Sequence, residues 1–277
     1  MVEPGMMNRL MVTKMVDIGA FLDGENLGRI LLPLRAVPPD CLIGAMLDVF
    51  VHYDMEGRFV ATTRKPLAFP GEFGYLKVVK LTPLGALLDW GLHHQLLVPT
   101  REQKQAMQEG RSYLVRVIHD PNSKRIIASS KVDQYLDQVP PNYGAEQEVD
   151  LLIGAHTDLG YKAIVNNSHW GVLYENEVFQ PLKKGDRLSG FIKKVRDDQK
   201  IDLSLQPPGY AKVDSLTEKI LDQLKRHDGF MAVNDKTPPE LIYQWFGVSK
   251  KNFKKAIGAL YKKKIIRLDK DGICLTS

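Results

Sequence analysis

Cysteine is scarce: Cys41 and Cys274 are the two in 277 residues, and they lie far apart. That excludes a disulfide framework or a cysteine metal site and makes a reducing cytoplasm the expected setting. Long apolar runs are also lacking, so no segment is expected to cross a bilayer. The N-terminus, MVEPGMMNRLMV, has neither the sustained apolar stretch nor the cleavage site of a secretory signal. The seven histidines, at 52, 93, 94, 119, 156, 169 and 227, show no metal-ligand spacing; His93 and His94 are adjacent and would point to opposite sides of a strand. No glycine-rich phosphate loop carries a lysine, and there is no nucleophile elbow and no Cys/His arrangement. Asp197 and Asp198 sit in a turn signal, where Asp is a turn former before it is a catalyst. No catalytic residue, metal or cofactor is expected.

The chain has an ordinary soluble composition, 44% apolar and 26% charged. Its net charge of +5 is unevenly placed. Residues 209–277 hold 14 Lys/Arg against 8 Asp/Glu, while the preceding 208 residues hold 24 against 25. The basic surplus thus belongs to the C-terminal quarter, where it favours an anionic partner or simply aids solubility.

Internal repetition organises the rest. GAMLDVFVHYDMEGRFVATT (44–63), GRSYLVRVIHDPNSKRIIASS (110–130) and GDRLSGFIKKVRDDQKIDLSL (185–205) each start with glycine and alternate as a strand. Each then turns at Asp with a basic residue (Arg58, Arg125, Lys200) and alternates again. This is a hairpin signal three times over. Upstream lie DIGAFLDGENLGRILLP (17–33), PLGALLDWGLHHQLLVP (83–99) and DLGYKAIVNNSHWGVLY (158–174), each a glycine, a short strand, a turn and a second strand. Each unit offers about five short strands, which suits a small closed barrel. Proline and glycine breakers at 64–74, 137–147 and 206–215 separate the units.

The last segment changes to helical period. SLTE (215–218) reads as a capping box, with Leu216, Ile220, Leu221 and Leu224 on one stripe. TPPE (237–240) reads as a second, with Pro238 at the first helical position and Gly247 closing the helix. Ser249 is a good cap for the next helix, and Val248 and Phe253 occupy the staple positions across it. Two helices joined so tightly read as a helix-turn-helix, and IIRLDKDGICLTS (265–277) adds two strands around Asp-Gly, the order of a winged helix. WFGVSKKNFKKAIGALYKKK (245–264) holds seven lysines and no acid. At 100° per residue Phe253, Ala256, Ile257 and Leu260 share one face, and Lys251, Lys254, Lys255 and Lys262 the other, with Gly258 among them. That glycine lets a phosphate approach but costs ~1 kcal/mol of helix stability relative to Ala; packing of the glycine against a neighbour is the alternative.

The repeated order resembles the ribosomal S-one domain, an OB-type RNA-binding barrel. Three such barrels and a lysine-rich tail resemble the conserved virulence factor B family of bacterial RNA-binding proteins along nearly the whole chain. The expected architecture is multidomain and mainly β: three tandem small OB-type barrels (8–66, 70–138, 145–207) followed by a winged-helix α+β domain (212–277).

The S-one pattern places an aromatic in the strand after the glycine, a second aromatic or His in the next strand, and a basic residue before the last. Unit one supplies Phe21 and Arg58, with Leu32 at the second aromatic position. Unit two has Leu87 and Val98 at the aromatic positions, keeps Arg125 beside Lys124, and carries Trp90, His93 and His94 in its turn. Unit three has Lys162, Tyr174 and Lys200, supported by Tyr161, Trp170, Lys193 and Arg196, within a segment of 8 basic and 10 acidic residues (142–208). For any one of Phe21, Trp90 and Trp170 taken singly, core or inter-domain packing is the more usual role. The resemblance implies a non-catalytic regulator of expression after transcription that prefers single-stranded RNA. A winged-helix DNA-binding transcriptional regulator is the alternative, with Asn252 its main candidate base reader; a protein-interaction scaffold is the third reading.

Overall fold

The computed structural model describes residues 1–276 except 55, 122, 124, 179 and 207–212, and for 213–215 the backbone alone. Lys124 therefore lies outside the described residues. The chain forms two compact units, Met1–Gln138 and Val139–Ser277.

The first unit begins with β1 (Met7–Val16), β2 (Gly19–Asp23), β3 (Arg29–Pro33), β4 (Met46–Tyr53) and β5 (Phe59–Thr62). They close into a barrel in the order β1-β2-β3-β5-β4. All pairs are antiparallel except β3 with β5, joined in parallel at Leu31 and Val60. Alternation turns Leu10, Val12, Leu22, Ile30, Leu32, Val49 and Val51 into one core. Strands β6 (Phe73–Thr82), β7 (Gly85–Asp89), β8 (Leu96–Pro99), β9 (Ser112–His119) and β10 (Ile126–Ser129) repeat the plan as a five-stranded sheet, β10-β9-β6-β7-β8. In the second unit β11 (Glu148–Thr157), β12 (Gly160–Val165), β13 (His169–Tyr174), β14 (Arg187–Val195) and β15 (Ile201–Ser204) close as the first barrel does.

Two local devices recur and explain the sequence repeat. The first strand of each set carries a register shift at Val12/Lys14, Val78/Lys80 and Ile153/Ala155, and such bulges bend a strand so that a small sheet curls. The glycine opening each second strand, Gly19, Gly85 or Gly160, has φ of 146°, 145° or 131°. A Cβ there would lie 2.0, 2.1 or 2.2 Å from the carbonyl oxygen of Leu32, Val98 or Leu173. Only glycine fits so close a crossing.

The first two barrels share packing. Phe50 of β4 belongs to the second barrel's core cluster, with its ring edge-on to Trp90 at 5.8 Å and to Phe69 at 5.9 Å. Trp90 is 1% exposed and donates its indole N–H to the His94 carbonyl at 2.8 Å. His93 and His94 lie in the β7–β8 loop, not on a strand. In the second unit His169 is buried; its Nδ1 accepts from the Tyr143 hydroxyl and its Nε2 donates to the Val139 carbonyl, both at 2.8 Å. That pins the segment before β11 to the third barrel.

The tail contains α1 (Val213–Arg226), β16 (Phe230–Met231), α2 (Pro239–Phe246), α3 (Lys250–Lys262), β17 (Ile266–Leu268) and β18 (Ile273–Leu275), with the strands ordered β16-β18-β17. Leu216, Ile220, Leu224, Ile242, Phe246, Phe253, Ile257 and Leu260 build its core. Helix α1 starts at Val213, before the expected cap Ser215, whose side chain lies outside the described residues. In α2 the flanking residue is Pro238 and Pro239 takes the first helical position. The Thr237 hydroxyl instead accepts from the Asn234 amide at 2.8 Å, capping the preceding turn rather than the helix. Gly247 closes α2 with φ 69°, and the Ser249 hydroxyl accepts from the Asn252 amide at 3.3 Å.

Candidate nucleic-acid interface

Strand register decides which side chains face outward. The glycine pairs, Gly19 with Pro33, Gly85 with Pro99 and Gly160 with Tyr174, align the three barrels. Phe21, Leu87 and Lys162 are then equivalent, as expected. Tyr174 is equivalent to Pro33 and Pro99, however, and not to Leu32 and Val98. Those two match Leu173, and all three are core residues, 0–1% exposed. A one-residue slip turns a side chain to the opposite face, which is why the linear comparison misplaced the second aromatic position. The first two barrels have proline where the third has tyrosine.

The third barrel assembles a polar aromatic face. Lys162 Nζ lies 4.0 Å from the centroid of the half-buried Trp170 ring. The indole also covers Gly154, where a Cβ would come within 2.8 Å of it. The Tyr174 hydroxyl donates to Asp202 Oδ1 at 3.1 Å. Arg196 binds the same carboxylate, Nε to Oδ2 at 3.0 Å and Nη2 to Oδ1 at 2.8 Å, and its Nη2 also donates to the Tyr174 hydroxyl. Val172 sits between Lys162 on β12 and Asp202 on β15 in the register. Lys193 pairs with Glu177 and lies 6.0 Å from the Tyr174 ring. Tyr161 does not join this face: alternation turns it toward the barrel core, where it packs partly buried. Asp202 is the member that sequence reading missed. The alternation of IDLS put it beside Tyr174's face, but the parallel pairing that brings it there links distant segments.

The basic residues of the hairpin turns are held by their own turns. Arg58 binds Asp54 at 2.9 Å and Glu56 at 2.8 Å, and Lys200 binds Asp198 at 2.9 Å. Arg125 is exposed at the equivalent place, its carbonyl accepting from the Asp120 amide at 2.8 Å. Such surface pairs contribute ~0–1 kcal/mol, so they hold these side chains only weakly. Phe21 is half-buried on the first barrel, paired in the register with Lys14 of β1 and Leu31 of β3.

Helix α3 presents a different arrangement. Lys251, Lys254, Lys255 and Lys262 are all exposed. Lys254 reaches Asp235 at 3.7 Å; the other three have no carboxylate partner among the described residues. Phe253, Ala256, Ile257 and Leu260 are buried, as the periodicity predicts. Asn252 is half-buried at the cap. No cluster of His, Cys, Asp and Glu suited to a metal ion occurs among the described residues, and no helix there is long and apolar enough to cross a membrane.

Residues 218–275 match the CvfB-like winged helix domain and residues 4–64 the S1 domain. Conserved virulence factor B of Staphylococcus saprophyticus is 28% identical over 249 residues, covering 84% of this chain and 81% of that protein. Over most of its length the chain is thus similar to conserved virulence factor B. Conserved virulence factor B of Staphylococcus aureus (strain USA300) is 27% identical over 249 residues, covering 84% and 80%. An uncharacterized protein of Bacillus subtilis, YitL, is 26% identical over 272 residues, covering 94% and 89%. A solved multidomain protein with nucleic acid binding domains from Streptococcus pneumoniae aligns over 99% of this chain and 98% of its own, at 23% identity and TM-score 0.41. An S1 domain and a CvfB-like winged helix in one chain support nucleic-acid binding, and neither domain type is a known enzyme family.

Proposed function

We propose that this conserved virulence factor B relative is a cytoplasmic, non-catalytic protein that binds single-stranded RNA and regulates expression after transcription. The third barrel and α3 make most of the contacts. One observation carries the reading: Trp170, with Lys162 Nζ at 4.0 Å, on the outward face that Tyr174 shares. A half-exposed indole beside a cation suits an unstacked base and the phosphate next to it; stacking contributes ~1–3 kcal/mol per base. Bases inside a duplex are already stacked and offer no free face. Arg196, Lys193 and Lys200 rim the site, and the lysines of α3 neutralise further phosphates. Phe21, Arg58 and Arg125 supply weaker contacts on the first two barrels.

The second reading is DNA binding by the winged helix, favoured by the tight α2–Gly247–Ser249–α3 junction. Its weakness is chemical. The outer arc of α3 offers lysines for phosphates but little to read base edges, with the half-buried Asn252 near the cap its main candidate. A side-by-side titration with single-stranded RNA and duplex DNA of the same sequence tests both. Tighter binding to the RNA supports the proposal; equal or tighter binding to the duplex overturns it in favour of DNA.

A further inference from the structure

Gly258 lies inside α3, where glycine weakens a helix relative to alanine. Such a residue is ordinarily explained by a left-handed backbone or by a neighbour too close for a side chain. Neither applies. Gly28, Gly44 and Gly247 are open glycines with φ of 70°, 88° and 69°, whereas Gly258 has helical backbone. A Cβ built on Gly258 meets nothing within 4 Å, so packing inside this chain does not require it either. What requires the missing side chain is therefore something that touches the helix from outside.

The surroundings say what that is. On a helix, residue 258 adjoins positions 254, 255, 261 and 262. Three of these are Lys254, Lys255 and Lys262, all exposed, and Lys251 lies two turns back on the same arc. The notch is thus ringed by ammonium groups, and among the described residues Lys254 alone of them has a carboxylate within ion-pair reach, at 3.7 Å. We infer that Gly258 is the contact point on α3 for the phosphodiester backbone of a bound nucleic acid. Leaving out the side chain lets the strand lie closer to four lysines at once, and Coulomb attraction grows as that distance shrinks. Helix stability is given up for binding at this residue. The inference rests on α3 being a nucleic-acid surface, and goes beyond that reading by naming the residue and the steric reason.

The test uses the full chain with Gly258→Ala and Gly258→Leu, beside Lys251→Ala/Lys255→Ala, titrated with a mixed-sequence single-stranded RNA oligonucleotide at several salt concentrations. Both glycine variants are expected to melt at higher temperature than the wild type, because either residue is a better helix former. Both are expected to bind more weakly, by roughly threefold for Ala and tenfold or more for Leu, with the slope of log K against log salt unchanged because no charge is lost. The lysine variant loses affinity together with about one unit of slope per lysine. Glycine variants that bind as tightly as the wild type, while the lysine variant weakens, overturn this inference and leave the RNA-binding reading standing. A wild-type chain that binds no RNA overturns both, and an acidic protein then becomes the candidate for the lysine arc.

Discussion

His52 and His94 stack ring on ring, centroids 4.0 Å apart and planes 28° from parallel, joining the first barrel to the second. His52 is 8% exposed and bonds the Tyr53 carbonyl through Nδ1 at 2.9 Å. Burial pushes the His94 imidazole down to about 3, with His52, Arg35 and His93 adding repulsion in that order. Burial lowers His52 as well, against a smaller opposing pull from its bond to Tyr53 and from Asp54. Both rings are therefore neutral in the folded protein at neutral pH.

Acid should weaken this junction. The folded pKa values lie below the unfolded value of ~6.5, so the unfolded chain binds more protons between the two. Stability is fully present above that value and falls as pH drops toward about 3, at up to ~1.4 kcal/mol per pH unit for each histidine. Chemical denaturation of residues 1–138 monitored by Trp90 fluorescence at pH 7 and pH 5 measures this. His94→Gln should flatten the dependence; an unchanged slope would show that the pair carries no linkage.

Phe50 belongs by sequence to the first barrel and by packing to the second. Phe50→Ala is expected to cost ~3–5 kcal/mol and to lower the melting of both barrels together. Two separate transitions, with only the second shifted, would mean that the barrels fold independently.

Trp170→Ala should weaken single-stranded RNA binding by ~1–3 kcal/mol, and Trp170→Phe should recover part of it, since a smaller ring still stacks. Quenching of indole fluorescence by RNA, lost in the Ala variant, identifies the stacked ring. Full affinity in Trp170→Ala would move the site off this face.

Replacing Lys251, Lys254, Lys255 and Lys262 together by Ala should reduce affinity evenly across sequences and lower the salt slope by up to ~4. Unchanged affinity would favour the scaffold reading.

Gly247→Ala should destabilise the winged helix by ~1 kcal/mol, because φ 69° strains any side chain there even though space is open. The same change at Gly258 should stabilise it. Thermal melts of the two variants give opposite signs if backbone conformation, not crowding, decides both.

Much of this was legible in the chain. Alternation and Asp-rich turns marked the hairpins, the recurring glycines marked the crossings, and 3.6-residue periodicity placed Phe253, Ala256, Ile257 and Leu260 inward on α3. Those signals are local: each is set by the preference of a few adjacent residues. The Thr237 cap failed for an equally local reason, since Thr237 had a nearer amide to satisfy at Asn234.

Sequence alone therefore determined the element types, the three-fold repetition and the basic character of the tail. Tertiary structure decided which residues share a face. Register put Leu32 and Val98 in the core and Tyr174 outside; the parallel β13–β15 pairing brought Asp202 to Tyr174 and Arg196; and packing set His94 against His52. These relationships join residues far apart in the chain, and a strand's side chains change face with every one-residue shift. The open space around Gly258 was likewise beyond the sequence, which shows that a side chain is missing but not whether anything fills its place.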